Sequence, residues 1–162
     1  NRVFGELLVV PDVKLNKDTM YVPGTDGQKM SKSYDNFINI FLPEKELKEV
    51  INKKIATDST ALEDPKDPSA NVISALIRLI SGDVAADELN QKLIAGGYGW
   101  GHAKKDLLQA ILTRFEKERA AFDHWMAHPD ELNEVLSIGA DKARSVAQKT
   151  LSRMRNQLGY GA

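Results

Sequence analysis

From residue 43 to residue 158, apolar side chains return every three or four positions, and Gly and Pro punctuate the pattern. Such spacing lines one face of a helix, and segments of this kind must bury those faces against one another. The pattern predicts a helix opened by Pro43 and carrying Leu47, Val50, Ile51 and Ile55, since Pro suits a first helical turn. A second helix carries Val72, Ile73, Leu76, Ile77 and Ile80 and ends at Ser81-Gly82. A third covers 85–95 and is closed by Gly96-Gly97. The longest is expected over 102–127, with Leu108, Ile111, Leu112, Phe115, Phe122 and Met126 on its apolar face. After His128-Pro129, a short helix over 130–138 is expected to stop at Gly139. A last one, over 141–158, is expected to bury Ala143, Ala147, Thr150, Leu151, Met154 and Leu158. Residues 57–69, with Pro65 and Pro68, read as a polar connector, a boundary or hinge.

The front of the chain reads differently. Leu7-Leu8-Val9-Val10 and Thr19-Met20-Tyr21-Val22 have the residue types of short strands, and Pro23-Gly24 ends the second. Two strands do not make an open sheet alone. The expected fold is therefore mainly α: a helical bundle with a small α/β remnant before it.

Composition excludes several classes. The formal net charge of −1 removes any whole-chain argument for nucleic-acid binding, so RNA contact requires a local patch. There is no Cys, hence no disulfide framework and no thiolate metal site. No apolar run approaches the roughly twenty residues that span a bilayer. The first residues, Asn1-Arg2-Val3-Phe4-Gly5, lack the layout of a signal peptide. These features fit a cytoplasmic protein.

The chemistry concentrates in Lys29-Met30-Ser31-Lys32-Ser33, just after the turn Gly24-Thr25-Asp26-Gly27. Two ammonium groups alternate with small hydroxyls in a loop after a strand, an arrangement that suits nucleotide phosphates. Lys-x-x-Lys alone is usually a solvated surface. The full pentad would arise by chance in a chain of this length at odds of about one in ten thousand.

The pentad resembles the KMSKS signature of class I aminoacyl-tRNA synthetases. The surrounding text is similar to the tryptophanyl-tRNA synthetase family. Val10-Pro11, Pro23-Gly24-Thr25-Asp26-Gly27-Gln28, Thr57-Asp58-Ser59, Tyr98-Gly99-Trp100-Gly101 and Gly139-Ala140-Asp141-Lys142-Ala143 occur in the family's order. The resemblance covers essentially the whole chain. It implies that residues 1–42 end a Rossmann-like nucleotide-binding domain and that 43–162 form a helical anticodon-binding domain. It also implies an enzyme that activates L-tryptophan with ATP, releases pyrophosphate and transfers the tryptophan to tRNA(Trp).

Within that resemblance, Lys29 and Lys32 are the catalytic cations, stabilising charge on the departing pyrophosphate. Met30, Ser31 and Ser33 join them in the ATP site, and a backbone group at Met20 holds the adenine. Mg2+ is expected to accompany ATP, although no protein ligand for it is identified. On the last helix, Lys142, Arg144, Lys149, Arg153 and Arg155 oppose Asp141 alone and are the candidates for contact with tRNA. A charge run of this kind is also an ordinary solvated helix face.

No HIGH-type tetrapeptide is found. The chain is therefore expected to be a C-terminal piece that does not form the adenylate alone. The intact enzyme is expected to be a homodimer, and the piece a monomer or weakly associated. A non-catalytic tRNA-binding module, a plain helical interaction domain and the tyrosine-specific sister family remain as alternatives. His124 and His128 have the i,i+4 spacing that chelates metals, but without Asp or Glu at 125 or 127 a structural role is favoured over a metal site. Trp100, Phe122 and Trp125 are expected to be packing aromatics.

Overall fold

A computed structural model describes residues 3, 5–15 and 21–160. Among the described residues, six α-helices follow one another: α1 (Glu44–Lys54), α2 (Ile73–Ser81), α3 (Asp83–Ala95), α4 (Trp100–Arg114), α5 (Glu116–Ala127) and α6 (Pro129–Gln157). The chain divides into two compact units. One is Leu15–Ala121; the other combines Asn1–Lys14 with Phe122–Ala162, so the division falls inside α5.

The first unit holds the core. In it α2 packs on α3 and α4, and α1 packs on α4. Leu47, Ile51 and Ile55 from the α1 region meet Ile73, Leu76 and Ile77 of α2, Leu89 and Leu93 of α3, and Leu107, Leu108 and Ile111 of α4. All but Leu89, Leu93 and Leu107 are positions that the helical spacing selects, and the expected mainly α architecture holds. Charge placement helps α1: Glu44 and Glu46 lie in its first turn, Lys53 and Lys54 in its last, opposite to the respective ends of the helix dipole.

The connector over 57–69 is fastened to the bundle. Lys66 is 3% exposed, and its ammonium donates to the carbonyls of Ala61 (2.9 Å), Leu62 (3.1 Å) and Asp64 (2.9 Å). Its backbone N–H donates to Leu93 O at the end of α3, 2.8 Å away. There the chain turns at Gly96 with φ +79°, and a Cβ at that position would come within 2.4 Å of Glu63 O. Only glycine suits both the dihedral and the gap.

Several expectations are corrected. Residues 7–10 form no strand, and among the described residues the only β pairing is an isolated antiparallel bridge between Pro23 and Lys29. Residues 19 and 20 lie outside the described residues, and Tyr21 and Val22 are not in a strand. Strand-forming residue types need a neighbouring ladder to become a strand, and none forms among the described residues.

The helix expected over 102–127 breaks at Phe115 (φ −107°, ψ 19°) into α4 and α5. The break lets Phe115 pack on the core, while Arg119 donates to the carbonyls of Ile40 and, at 2.9 Å, Leu42. Phe122 and Met126 are exposed rather than buried.

Gly139 does not stop a helix. It is not among the glycines with positive φ, and α6 runs through it for 29 residues. A glycine inside a helix costs about 1 kcal/mol relative to Ala, which its helix-forming neighbours can offset. None of the described residues of α6 is buried, so the expected apolar face is not a core face; only Thr150 and Met154 of that set are half-buried. Among the described residues, no helix is long and apolar enough to cross a membrane.

Replacing Lys66 by Met keeps an apolar stem but removes the ammonium that gathers the carbonyls of Ala61, Leu62 and Asp64. Hydrogen bonds to a charged group contribute about 1.5–3 kcal/mol. Urea denaturation should show Lys66→Met destabilised by at least about 1 kcal/mol; an unchanged midpoint would mean that the connector is not held in this way.

Candidate functional site: a lysine-bearing loop closed by an asparagine

The segment 22–36 folds back on itself. Gly24 N–H donates to Gln28 O (2.6 Å), Gly27 N–H to Gly24 O (3.1 Å), and Met30 N–H to Val22 O (2.9 Å). The Asp26 carboxylate accepts from Gln28 N–H at 3.0 Å, an Asx turn that Asp favours locally. Tyr21 Oη donates to Gly27 O at 3.2 Å. Met30 packs against the helical core, pinning the centre of the pentad.

Asn36 ties the two arms together. It is 2% exposed. Its amide nitrogen donates to Asp26 Oδ1 (2.8 Å) and to Lys29 O (3.1 Å), and its amide oxygen accepts from Ser31 N–H (2.7 Å). Its backbone carbonyl accepts from Thr25 N–H at 2.8 Å. Gly24 permits this closeness, because a Cβ there would lie 2.5 Å from the Asn36 side chain. Sequence reasoning passed over Asn36. The only signal was an Asn a few residues beyond a charged loop, and its partners are met through space.

The pentad ends in a single 3-10 turn, Lys32–Tyr34, capped by Asp35 at φ +52°. Asp is among the few non-glycine residues that accept this region. Lys54, at the end of α1, grips the cap, donating to Asp35 Oδ1 (2.7 Å) and Asp35 O (3.0 Å). Ser31 and Ser33 exchange a hydrogen bond of 2.8 Å between their hydroxyls.

Lys29 and Lys32 are exposed, and among the described residues neither ammonium has a hydrogen bond or ion pair. The arrangement therefore joins an ordered backbone to two exposed cations, a chemistry fitted to a polyanion. Met20, the expected adenine contact, lies outside the described residues.

Two other segments singled out in the sequence meet each other. Asp58 Oδ1 accepts from Trp100 Nε1 at 2.8 Å and from Thr60 N–H at 2.9 Å; the Thr60 side chain, then Trp100, then that N–H hold its carboxyl below the usual value. Tyr98 Oη donates to Asp106 at 2.5 Å; burial, then that carboxylate, pushes the phenol up to about 12. Trp100 is buried as expected, Trp125 is half-buried and Phe122 is exposed.

In the second unit, Lys142, Arg144, Lys149, Arg153 and Arg155 are all exposed on α6. At about 100° per residue, Lys142, Lys149 and Arg153 share one face, whereas Arg144 and Arg155 lie about 200° around the helix. They do not form a single patch. Arg144 is also paired with Asp141 at 2.5 Å.

His124 and His128 acquire a neighbour the sequence pattern did not supply, Glu131, whose carboxylate is 3.4 Å from His124 Nε2. The three ligand atoms lie within 4.8 Å of one another, but all three residues are exposed. No buried member of the group fixes its side chains against rotation.

A family model described as tRNA synthetases class I (W and Y) matches residues 2–116. Among curated relatives, the tryptophan–tRNA ligase of Campylobacter jejuni strain RM1221 is 39% identical over 159 residues, covering 98% of this chain and 50% of the relative. That of Fusobacterium nucleatum is 40% identical over 160 residues, covering 98% and 49%. A crystal structure of tryptophanyl-tRNA synthetase from Campylobacter jejuni, complexed with ADP and tryptophan, superposes with a TM-score of 0.84 at 39% identity, covering 98% of this chain and 50% of that one. The chain thus spans about half the length of these relatives.

The loop has its own pH signature. The Asn36 hydrogen bond, followed by that from Gln28, holds the Asp26 carboxyl below its ordinary 3.8. A carboxyl depressed on folding stabilises the structure above its unfolded value and loses that contribution as pH falls through the folded value. A carbon-13 titration should place the Asp26 midpoint below 3.8 in this chain and nearer to it in Asn36→Ala. Equal midpoints in the two proteins would contradict the contact.

Proposed function

This chain belongs to the class I tRNA synthetases of the tryptophan and tyrosine type, and from that premise we propose that it is the phosphate-handling and tRNA-facing part of a tryptophan–tRNA ligase. The observation that carries the proposal is the pairing of an ordered turn with two unengaged lysines, Lys29 and Lys32. In the proposed reaction a tryptophan carboxylate oxygen attacks the α-phosphorus of ATP. A new O–P bond forms, the bond from the α-phosphorus to the oxygen bridging to the β-phosphorus breaks, and pyrophosphate leaves with that electron pair. Lys29 and Lys32 meet the charge that grows on the leaving group, so they stabilise the transition state more than bound ATP. Ser31 and Ser33 supply hydroxyl donors beside them, and Met30 anchors the loop.

The carboxylates of the loop are already engaged, Asp26 by Asn36 and Gln28 and Asp35 by Lys54. They are poor candidates for a Mg2+ accompanying ATP, and the triphosphate itself is the better ligand. Residues 1–42 are assigned to the end of the nucleotide domain and 43–162 to an anticodon-binding domain. For tRNA, Lys142, Lys149 and Arg153 form the more coherent of the two basic faces of α6. The intact enzyme is proposed to be a cytoplasmic homodimer. The present chain, without an HIGH-type tetrapeptide, is proposed to give no pyrophosphate exchange alone, since half an ATP site does not hold attack geometry.

The choice of tryptophan rests on the names of the relatives, and the family model admits tyrosine as the second reading. Pyrophosphate exchange on the full-length enzyme, with each amino acid in turn, separates them. Tryptophan should support exchange, and Lys32→Ala should slow it about 100- to 1000-fold, the usual penalty for losing a donor aimed at transition-state charge. Exchange with tyrosine alone would reassign the substrate, and an undiminished Lys32→Ala rate would refute the role of the loop.

A further inference from the structure

Asn36 spends its whole side chain on the loop that carries the lysines. Both amide hydrogens and the amide oxygen have partners, and all three partners lie within 26–31. None belongs to a helix, although the residue is as buried as the bundle core. The bonds straddle Met30: one holds the carbonyl of Lys29, another the N–H of Ser31. The backbone before and after the central pentad residue is therefore fixed in one register, with Lys32 opening the following turn. The Asp26 bond then closes that register onto the preceding turn, ten residues earlier in the chain.

We propose that Asn36 is a positioning residue for Lys29 and Lys32: its amide sets the loop conformation from which both ammonium groups reach the phosphate chain. The proposal rests on the functional reading above and adds a residue to it. Truncating Asn36 leaves Lys29 O, Ser31 N–H and Asp26 Oδ1 without their common partner, so the lysines depart from a mobile rather than a set backbone. An entropic cost of that kind falls on the reaction step, because the lysines act most strongly there. Gly24 completes the device: its missing side chain is what admits the Asn36 amide, so Gly24→Ala attacks the same contact from the opposite side.

Two measurements test this. In the 162-residue chain, the Ser31 amide should exchange with solvent at least about tenfold faster in Asn36→Ala than in the parent, while core amides of α2 and α4 keep their protection. Equal Ser31 exchange in the two proteins would overturn the proposal. So would a general loss of protection in the helices, because Asn36 would then support the fold rather than the loop.

In the full-length enzyme, Asn36→Ala and Gly24→Ala should each lower kcat for pyrophosphate exchange about tenfold or more, with KM for the amino acid unchanged. Adding Asn36→Ala to Lys32→Ala should cost much less than it does alone, since a positioning residue acts through the group it positions. A full multiplicative loss in the double variant would overturn the proposal. A Lys32→Ala enzyme with undiminished exchange would instead sink the functional reading, whatever the Ser31 amide does.

Discussion

One buried carboxamide decides the shape of the lysine loop. A side-chain amide has one acceptor oxygen and two donor hydrogens, and at Asn36 each is taken up by a different residue of the same loop. Burial makes these bonds expensive to lose, because an unpaired amide away from water keeps its full desolvation cost. The exposed lysines beside it are the opposite case. Their charges stay hydrated until an anion displaces the water, so the loop keeps an ordered frame and adaptable tips together.

The frame is tied to the helical bundle at three kinds of contact. Met30 and Ile38 are apolar anchors. Lys54 of α1 clasps Asp35, an exposed pair worth little energy but well placed to hold a left-handed residue in its turn. Arg119 of α5 collects the carbonyls of Ile40 and Leu42 where the chain leaves the loop for α1. The bundle also has its own internal staples, Lys66 among three carbonyls and Trp100 on Asp58. Segments 57–59 and 98–101, which resemble family motifs, thus have a structural explanation in this chain: they meet each other.

Helical periodicity made the bundle legible. Leu47 and Ile51, or Ile73, Leu76 and Ile77, are core residues because spacing alone puts them on one face. What spacing does not carry is the cause of interruption. Phe115 breaks a helix because its side chain and Arg119 find partners far along the chain, and Gly139 fails to break one because no reversal of φ is demanded there. The strand text at 7–10 has the right residue types but no ladder to join among the described residues. In the loop, Lys29 and Lys32 stand out in the sequence because their chemistry is local and exposed. Asn36 does not, since an Asn in polar text looks like any turn residue until its partners, up to ten positions away, are brought to it.

We propose that an asparagine-closed loop offers two lysines to a phosphate chain, and titration of pyrophosphate into nitrogen-15-labelled full-length enzyme is its sharpest test. Saturable shifts should be shared by the Ser31 and Lys32 amides and the two lysine ammonium signals, with core amides of α2 unmoved. Saturating pyrophosphate that leaves those four loop signals in place would contradict it.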